Sequence, residues 1–385
     1  MFMKVGVIGT GITKFGELWD KSLRELLAEA QLKSLEEAKI SPKDVEMIFT
    51  GNMCADALSG QLHIGAMASE NLNLNVPSTR IEGACASGAL AIRAGLQAIE
   101  SGAAKIVQVN GVEKMTDVSV EQVTTALMGA GDEEVEGFAG ATFPALYALM
   151  ARAYMKEFGL TREELAAVPV KSHKHGSMNP IAQFQREITV DDVVNAVMVS
   201  DPLTLMDCSP ITDGASSIIL ASESIAKKLN PEAVWIVGSS QATDTLALSA
   251  RESLTEVKAT RLAAEKAFKQ AGITSKDVHL AEVHDCFSIA ELLAIEGLGL
   301  AKKGEAGKHA AAGFHYFDSK IPINTCGGLK ACGHPIGATG VKQAIEIVHQ
   351  LQQMAGKRQV KKAEIGVTQN VGGTGATVVV NVFKR

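Results

Sequence analysis

The chain contains two copies of one short pattern, and this internal repeat is the feature that most limits how it can fold. The segment ISPKDVEMIFTGN (Ile40 to Asn52) is matched by ITSKDVHLAEVHD (Ile273 to Asp285). Each copy follows a stretch with apolar residues on one helical face, and each stretch follows a strand-like run, VGVIGTG or VWIVGSS. The repeat predicts a duplicated α/β fold with a pseudo-two-fold axis. A chance match is the alternative, because Lys-Asp-Val is a common connection from a helix to a strand.

A second, weaker match supports the duplication. CASGALAI, which begins at Cys85, aligns with HPIGATGV, which begins at His334, and the alignment places Gly88 on Gly337. Both segments open helices rich in Gly and Ala, and both helices lead to an apolar strand. The order strand, helix, strand, helix, strand in each half predicts mostly parallel sheets covered by helices. Cys85 and His334 would then occupy equivalent corners and converge on one cleft.

The repeat divides the chain into an N-terminal half, residues 1–230, and a C-terminal half, residues 231–385. Between about residues 114 and 209 the first half carries a segment with no counterpart in the second. Insertions of this size on an α/β scaffold are usually lids or substrate-binding elements. A structural or oligomer-contact role is the alternative, and the sequence does not separate the two.

Composition and charge exclude several classes of function. A formal net charge of −6 argues against a broad nucleic-acid surface, and a phosphate-bearing ligand would need a local basic patch or a partner. Six cysteines are too few for a disulfide scaffold, which indicates a reducing cytoplasm. No apolar run reaches the roughly 18–20 residues of a membrane span. The segment MKVGVIGTG runs directly into a strand-like stretch, so we expect no signal peptide.

The stretch EGACASGALAIRAG places a thiol, Cys85, among small residues where a helix begins. The unpaired amides and the positive end of a helix stabilise a thiolate, and small neighbours let a substrate carbonyl approach the sulfur. The sequence therefore makes Cys85 a candidate nucleophile. The alternative is an inert buried cysteine that fills a gap.

EVHDCFS places His284 and Cys286 two residues apart at the end of a strand, so both would project to the same side of the sheet. Strand ends are where parallel sheets build their sites. The alternative is a hydrogen-bonded core histidine beside a core cysteine.

Two glycine-rich stretches complete the candidate site. GGLKACGHPIGATG surrounds His334 with a loop of unusual backbone conformation, and NVGGTGATVVV is a glycine turn whose amides could serve as oxyanion donors. The turn could equally be an ordinary tight turn. A metal site built from Cys326, Cys332 and His334 is an alternative, but their spacing fits no standard zinc pattern, so we expect no metal.

Together, and in this order, the motifs ACASGALAI, GVEKMTD, DGASSIIL, HDCF, GGLKACGHPIGATG and NVGGTGAT resemble the thiolase superfamily. The resemblance covers nearly the whole length and is to the archaeal and sterol-carrier-type acetyl-CoA C-acetyltransferase branch. It implies two duplicated β-α-β-α-β halves that form a layered α/β/α/β/α core with an inserted loop domain. It also implies a reversible, non-decarboxylative Claisen condensation of two acetyl-CoA through an acyl-cysteine, of the kind that feeds mevalonate-type synthesis.

The resemblance also implies a role for each candidate residue. Cys85 would be the nucleophile, and His334 would lower its pKa and help to polarise the thioester oxygen. His284 would share that first oxyanion site, and Cys286 would be the acid/base. The backbone amides of Cys85 and Gly372 would form a second oxyanion hole. No cofactor is implied beyond coenzyme A thioesters as substrates.

The sequence departs from the commonest thiolases at two positions. Those enzymes carry an Asn in place of His284, and their acid/base cysteine lies in the C-terminal glycine motif, where Asn370 stands here. The acid/base role would therefore move to Cys286, as it does in the branch of the superfamily that carries the HDCF motif.

Coenzyme A binding and partners are the least marked features of the sequence. The nearest basic candidates for substrate binding are Lys171 and His175 in VKSHKHG, which could also be a solvated charged face. The resemblance implies a homodimer or tetramer. It also implies a complex with a hydroxymethylglutaryl-CoA synthase and an OB-fold/zinc-ribbon accessory protein that helps to bind coenzyme A.

Three other functions stay open from the sequence. A longer-chain 3-ketoacyl-CoA thiolase would use the same residues. A decarboxylating ketoacyl synthase also uses one Cys and two His, but it needs no second catalytic cysteine. A non-catalytic acyl-CoA or lipid-binding scaffold would have no reason to keep all four side chains.

Overall fold

A computed structural model describes residues 4–385. The strands are β1 Val5–Ile12, β2 Met47–Gly51, β3 Ser78–Ile81, β4 Ile106–Glu113, β5 Met198–Ser200, β6 Leu203–Thr204, β7 Gly214–Ser222, β8 Val234–Thr243, β9 Leu280–Val283, β10 Ile365–Gly372 and β11 Thr377–Lys384. The helices are α1 Leu23–Ala38, α2 Ala55–Ser59, α3 Ile64–Glu70, α4 Ser87–Glu100, α5 Val120–Met128, α6 Phe143–Phe158, α7 Arg162–Gly176, α8 Val190–Val194, α9 Glu223–Leu229, α10 Lys258–Ala271, α11 Ser288–Gly297, α12 Ala306–Ala311, α13 Gly328–Ala331 and α14 Ile336–Leu351. Within the described chain, these helices are too short or too polar to cross a bilayer.

One large sheet carries the duplication. Its strand order is β3-β2-β4-β7-β1-β8-β11-β10-β9, and the antiparallel pair β1–β8 lies where the two halves meet. Outward from that pair, β7, β4 and β2 on one side correspond to β11, β10 and β9 on the other. The matched segments of the repeat lead into β2 and β9 in equivalent places, which confirms the predicted duplicated α/β fold.

The expectation of mostly parallel sheets is wrong. Parallel pairing is confined to β2–β3, β2–β4 and β9–β10, whereas β7 and β11 run antiparallel to both of their neighbours. The physical reason is that each half ends on a strand that returns beside the preceding one. The connection from β10 to β11 is a short glycine turn, which can join only antiparallel strands.

The helices form the expected layers. Helix α1 packs on β1 and β7, and α10 packs on β8 and β11, so these two helices cover the outer faces. Helices α4 and α14 pack against each other, and α14 contacts strands of both halves, which makes this pair the central layer. The α/β/α/β/α arrangement is confirmed; the division of the chain at residues 230 and 231 stays a prediction.

Glycines allow α4 and α14 to approach closely at their N-terminal ends. A Cβ added to Gly88 would lie 2.6 Å from the carbonyl oxygen of Gly337, and one added to Gly340 would overlap the backbone nitrogen of Ala89. Because the obstacles are backbone atoms, no side-chain movement could relieve them. The aligned glycines of the repeat therefore meet at the pseudo-two-fold axis.

A buried carboxylate joins the two halves at the same place. Glu113, at the end of β4, accepts hydrogen bonds from the backbone amides of Met53 and Cys54 and, at 3.0 Å, from the amide of Gly337 in the first turn of α14. A negative group is favoured at a helix N-terminus. Burial nevertheless raises the pKa of Glu113 to about 7.

The insertion begins after β4 and ends before β7. Buried Lys114 and Asp213 hold its two ends together with an Nζ–Oδ2 distance of 2.7 Å, and Asp213 also accepts from the amides of Met115 and Thr116. Helices α5 to α8 and the β5–β6 hairpin lie between them, and α6 and α7 pack on α11 of the second half. The insertion thus reaches across to the half in which it has no counterpart.

We predict that Gly88→Ala destabilises the protein by about 1–3 kcal/mol, because the new methyl group would press on the backbone of α14. Chemical denaturation with a circular dichroism readout would measure the loss. Gly129→Ala is the matched control, since its φ is −57° and the nearest obstacle to its Cβ is a carbonyl oxygen at 3.3 Å. Equal stability of the Gly88 and Gly129 variants would contradict the close helix contact.

Candidate active site

The candidate residues from both halves meet at one cavity. The cavity has a volume of about 170 Å³, and Cys85, Cys286 and His334 line it. The Sγ atom of Cys85 and one ring nitrogen each of His284 and His334 all lie within 4.8 Å of one another. The two imidazole rings stand nearly perpendicular, with centroids 5.0 Å apart. The structure therefore brings all four predicted side chains together.

Cys85 lies in a short turn, Ala84–Ala86, that leads directly into α4. Ala84 has a φ of 53°, a left-handed conformation that is unfavourable for a residue with a side chain. Ser87 holds the turn: its hydroxyl accepts from the amide of Gly83 at 3.0 Å and donates to the carbonyl of Ala84 at 2.6 Å. The sulfur is thus presented from a strained turn at a helix start.

Two backbone amides face the sulfur of Cys85. Burial raises the pKa of its thiol above the ordinary range, and the amides of Gly373 and of Cys85 itself act in the opposite direction. The sequence-based prediction names the neighbouring residue, Gly372, and which of the two amides acts as the oxyanion donor stays a prediction. Gly372 is the last residue of β10 and pairs with Thr377, whereas Gly373 begins the turn with a φ of 61° and lines the cavity.

His334 is neutral and fixed in one orientation. Its Nδ1 lies 2.7 Å from the hydroxyl of Thr339, and that hydroxyl donates to the carbonyl of Pro335 at 3.1 Å. Nδ1 must therefore donate to Thr339, which leaves Nε2 as an acceptor that can take a proton. Burial, with the cations Lys342 and Lys330 nearby, lowers the pKa of His334 to about 3.

His284 has the opposite tautomer to His334. The side-chain amide of Asn370 donates to its Nδ1 at 3.0 Å, so the ring proton resides on Nε2. Nε2 is buried and has no partner within the described chain. Burial lowers the pKa of His284 well below its usual value. A neutral N–H without a partner beside the cavity can stabilise an oxyanion.

Cys286 follows β9 and is accompanied by a residue that sequence reasoning missed. The hydroxyl of Tyr147 donates to the carbonyl of Gly373 at 2.9 Å, and its interaction with Cys286 lowers the pKa of that thiol. Burial raises the pKa of Cys286 to about 12 even so. Tyr147 comes from α6 of the insertion, and nothing in its helical pattern distinguishes it from a core tyrosine.

Lys171 and His175, which the sequence predicts as substrate-binding residues, are buried and are not among the residues that line the cavity, and their role in binding stays a prediction. The Nζ of Lys171 is buried in an ion pair with Glu291 at 2.5 Å. His175 is buried between the carbonyl of Asn324 and the amide of Phe317. Both side chains of α7 therefore hold the insertion onto the second half.

The alternative metal site of Cys326, Cys332 and His334 does not assemble. Cys326 is buried and donates to Glu282 at 2.9 Å, and the Nζ of Lys342 lies 3.2 Å from its sulfur. Cys332 accepts from Asn179 at 3.7 Å. The two thiols belong to an interior polar cluster, whereas the imidazole of His334 faces the cavity. The absence of a metal stays a prediction.

We predict that Thr339→Val slows alkylation of Cys85 by iodoacetamide by roughly 10- to 100-fold, because His334 loses the acceptor that fixes its tautomer. Peptide mass spectrometry at pH 7 would give the rate. Thr50→Val, which removes another buried hydroxyl, from β2, is the control and should keep the parent rate. A parent-like rate in the Thr339 variant would show that this hydrogen bond does not govern the thiol.

Comparison with known proteins agrees with this geometry. The family model described as "Thiolase, N-terminal domain" matches residues 5–224, and "Thiolase C-terminal domain-like" matches residues 240–385. The chain is 50% identical to an "Acetyl-CoA acetyltransferase" of Methanothermobacter thermautotrophicus over 99% of each chain. It is 47% identical to the protein of the same name from Methanocaldococcus jannaschii over 98% of each.

Among solved structures, the "Ltp2-ChsH2(DUF35) aldolase" superposes with a TM-score of 0.86 and 23% identity, covering 98% of this chain and 97% of that chain. This similarity concerns the fold alone. The two family models together span nearly the whole chain, and the high identity of the curated relatives covers the site as well as the scaffold. The chain belongs to the thiolase family.

Proposed function

We propose that the protein is an acetyl-CoA acetyltransferase, which condenses two acetyl-CoA reversibly to acetoacetyl-CoA and coenzyme A. The observation that carries the proposal is the meeting of Cys85, His284, Cys286 and His334 around one cavity. Two thiols and two neutral imidazoles supply a nucleophile, an acid/base and oxyanion donors, which together are the needs of a Claisen condensation. The two full-length relatives that carry this name support it.

The first half-reaction would acetylate Cys85. Nε2 of His334 takes the thiol proton, and the sulfur attacks the carbonyl carbon of acetyl-CoA. The amides of Cys85 and Gly373, which face the sulfur, would stabilise the resulting oxyanion. The tetrahedral intermediate collapses, the carbon–sulfur bond to coenzyme A breaks, and the leaving thiolate takes a proton from Cys286.

The second half-reaction would form the carbon–carbon bond. The carbonyl oxygen of a second acetyl-CoA accepts a hydrogen bond from Nε2–H of His284, and the Cys286 thiolate removes a proton from its methyl carbon. The enolate attacks the acetyl carbonyl on Cys85. Collapse of this intermediate releases acetoacetyl-CoA, and the Cys85 thiolate recovers its proton from imidazolium His334.

The cavity supports a short acyl substrate. Its volume of about 170 Å³ is narrowed by the rings of Phe143, Tyr147 and Phe287. A small apolar enclosure excludes water from the enolate and leaves little room for a long chain. For this reason a longer-chain 3-ketoacyl-CoA thiolase ranks second, behind the acetyl-CoA acetyltransferase. The Cys286–Tyr147 pair beside the cavity favours proton abstraction over a decarboxylating synthase or a non-catalytic scaffold.

A partner is proposed to complete the coenzyme A site. Among the described residues that line the cavity there is no lysine or arginine, although coenzyme A carries several phosphate charges. The name of one solved structure with this fold, the Ltp2-ChsH2(DUF35) aldolase, includes a DUF35 component. We therefore propose that an accessory protein of the OB-fold/zinc-ribbon kind binds the nucleotide. Assembly with a hydroxymethylglutaryl-CoA synthase, a homodimer or tetramer, cytoplasmic location and mevalonate-type synthesis are parts of the same proposal.

We predict that the purified protein cleaves acetoacetyl-CoA with free coenzyme A, measured by loss of absorbance of the substrate enolate. Cys85→Ala should abolish turnover, and Cys286→Ala should lower kcat by roughly 10²- to 10⁴-fold because the acid/base is lost. Cys54→Ala is the control, because this buried thiol makes a long contact of 4.0 Å with the carbonyl of Ala126. Full activity of the Cys286 variant would refute its assigned role, and consumption of malonyl thioesters would favour a ketoacyl synthase.

We predict that the chain alone scarcely distinguishes coenzyme A from pantetheine, which lacks the phosphorylated nucleotide. In thiolysis of acetoacetyl-pantetheine, the KM values of coenzyme A and of pantetheine should lie within about threefold of each other, since the cavity lining offers the phosphates no cation. Addition of the accessory protein should lower the KM of coenzyme A only. A KM for coenzyme A at least tenfold below that of pantetheine, with the chain alone, would contradict the need for a partner.

A further inference from the structure

Four lysine side chains are almost fully buried in the described part of the chain, and one of them differs from the rest. Lys114 pairs with Asp213 and Lys171 with Glu291. Lys342 contacts the sulfur of Cys326, which in turn bonds to a carboxylate. A buried ammonium normally needs such a partner, because removal from water is costly.

Within the described chain, the hydrogen-bond acceptor of Lys330 is a main-chain carbonyl. Lys330 lies on α13, its side chain is 1% exposed, and its Nζ donates to the carbonyl oxygen of Asp207. Within residues 4–385 no carboxylate oxygen lies within 4.0 Å of this nitrogen. Burial of the Lys330 ammonium without a carboxylate partner is thus energetically unfavourable, which suggests that its charge stabilises another group.

The ammonium lies where two segments meet beside Cys286. Asp207 is followed by Cys208, which bridges to Phe287, and the amide of Ser209 donates to the carbonyl of Cys286 at 2.9 Å. The Nζ of Lys330 lies 5.7 Å from the centroid of the Phe287 ring. The contact with Asp207 therefore fixes the charge close to the residue that follows Cys286.

The charged groups around this point leave the Lys330 field only partly compensated. The Asp207 carboxylate is already bound by Arg162 and by the hydroxyl of Ser288. Asp285 accepts from the amide of Leu329 with one oxygen, and its other oxygen has no partner in the described chain.

Two carboxylates, Asp207 and Asp285, face Lys330, and its field acts on several histidine and cysteine side chains. Burial depresses the pKa of Lys330 itself, and Asp285, Cys208, Asp207 and Cys286 act in the opposite direction. Lys330 in turn favours the neutral form of three histidines and the thiolate form of two cysteines. Those side chains are His173, His284, His334, Cys208 and Cys286. The remaining titratable neighbours of Cys286 are Tyr147, Cys85 and Asp285, and the Asp285 carboxylate opposes the thiolate form of Cys286.

We propose that Lys330 is a positioning residue that stabilises the thiolate of Cys286 during the interval between departure of coenzyme A and abstraction of the methyl proton. The proposal rests on the proposed function, in which Cys286 gives its proton to the leaving thiol and takes the next one from acetyl-CoA. Lys330 keeps its own proton throughout. Its field makes the charged form of Cys286 accessible in a site whose burial opposes it.

The test measures alkylation of Cys286 by peptide mass spectrometry in a Cys85→Ala background, where no turnover is needed. Below the thiol pKa, the rate is proportional to the thiolate fraction, and each unit rise in pKa slows it tenfold. We expect Lys330→Met to slow the reaction with iodoacetamide by about tenfold or more, and Lys330→Arg to restore most of the rate. Lys171→Met, which removes a buried charge elsewhere on the fold, should leave it unchanged.

Anionic iodoacetate separates the field from a change in access. The two reagents are similar in size, so altered packing would slow both equally, whereas loss of a cation slows the anion more. We expect the iodoacetate-to-iodoacetamide rate ratio at Cys286 to fall in Lys330→Met. An unchanged ratio in a folded variant would overturn the proposal.

If Lys330→Met does not fold, the iodoacetate-to-iodoacetamide rate ratio at Cys286 is measured in the protein that keeps Lys330. A local cation predicts a higher ratio than that of free cysteine. An equal or lower ratio overturns the proposal. Thiolysis by the parent tests the proposed function separately: an inactive parent with a lysine-dependent ratio would refute the function and leave the electrostatic assignment standing.

Discussion

The close approach of α4 and α14 is the constraint on which the rest of the structure depends. Gly88 and Gly337, which occupy the same position in the two copies of the repeat, let the two helix starts meet at backbone distance. Cys85 precedes one helix and His334 precedes the other, so the contact sets their separation. Any side chain at either glycine would move Cys85 away from His334 before it affected the outer layers. The close packing of α4 and α14 at the axis is therefore also what keeps Cys85 and His334 together at the cavity.

Burial then decides the protonation states in the site. Both imidazoles are neutral and both thiols are protonated at rest, because burial disfavours the charged form of each of these groups. In the proposed mechanism, backbone amides and Lys330 offset that penalty at the groups that become charged. The opposite tautomers of the two histidines, set by Thr339 and Asn370, divide the labour between a proton acceptor and a proton donor.

The architecture and the convergence of the four candidate side chains can be predicted from the sequence, because the repeat and the HDCF and GGLKACGHPIGATG motifs are local patterns. The sequence does not predict the features that depend on contacts between distant parts of the chain. The antiparallel return of β7 and β11 depends on pairing between distant strands, and the place of Gly373 at the cavity depends on where a turn begins. Charge favours exposure, which is why Lys171 is expected at a surface, yet its partner Glu291 lies far along the chain and could not be foreseen.

The most direct test of the central claim is to locate the acetyl group after brief exposure of the protein to acetyl-CoA alone. Proteolysis and tandem mass spectrometry would assign it to a residue. A shared cavity with Cys85 as nucleophile predicts one acetyl group, on Cys85, removed again when coenzyme A is added. Acetylation of Cys208 or Cys286 in its place, or no acetylation while acetoacetyl-CoA is still formed, would contradict the mechanism.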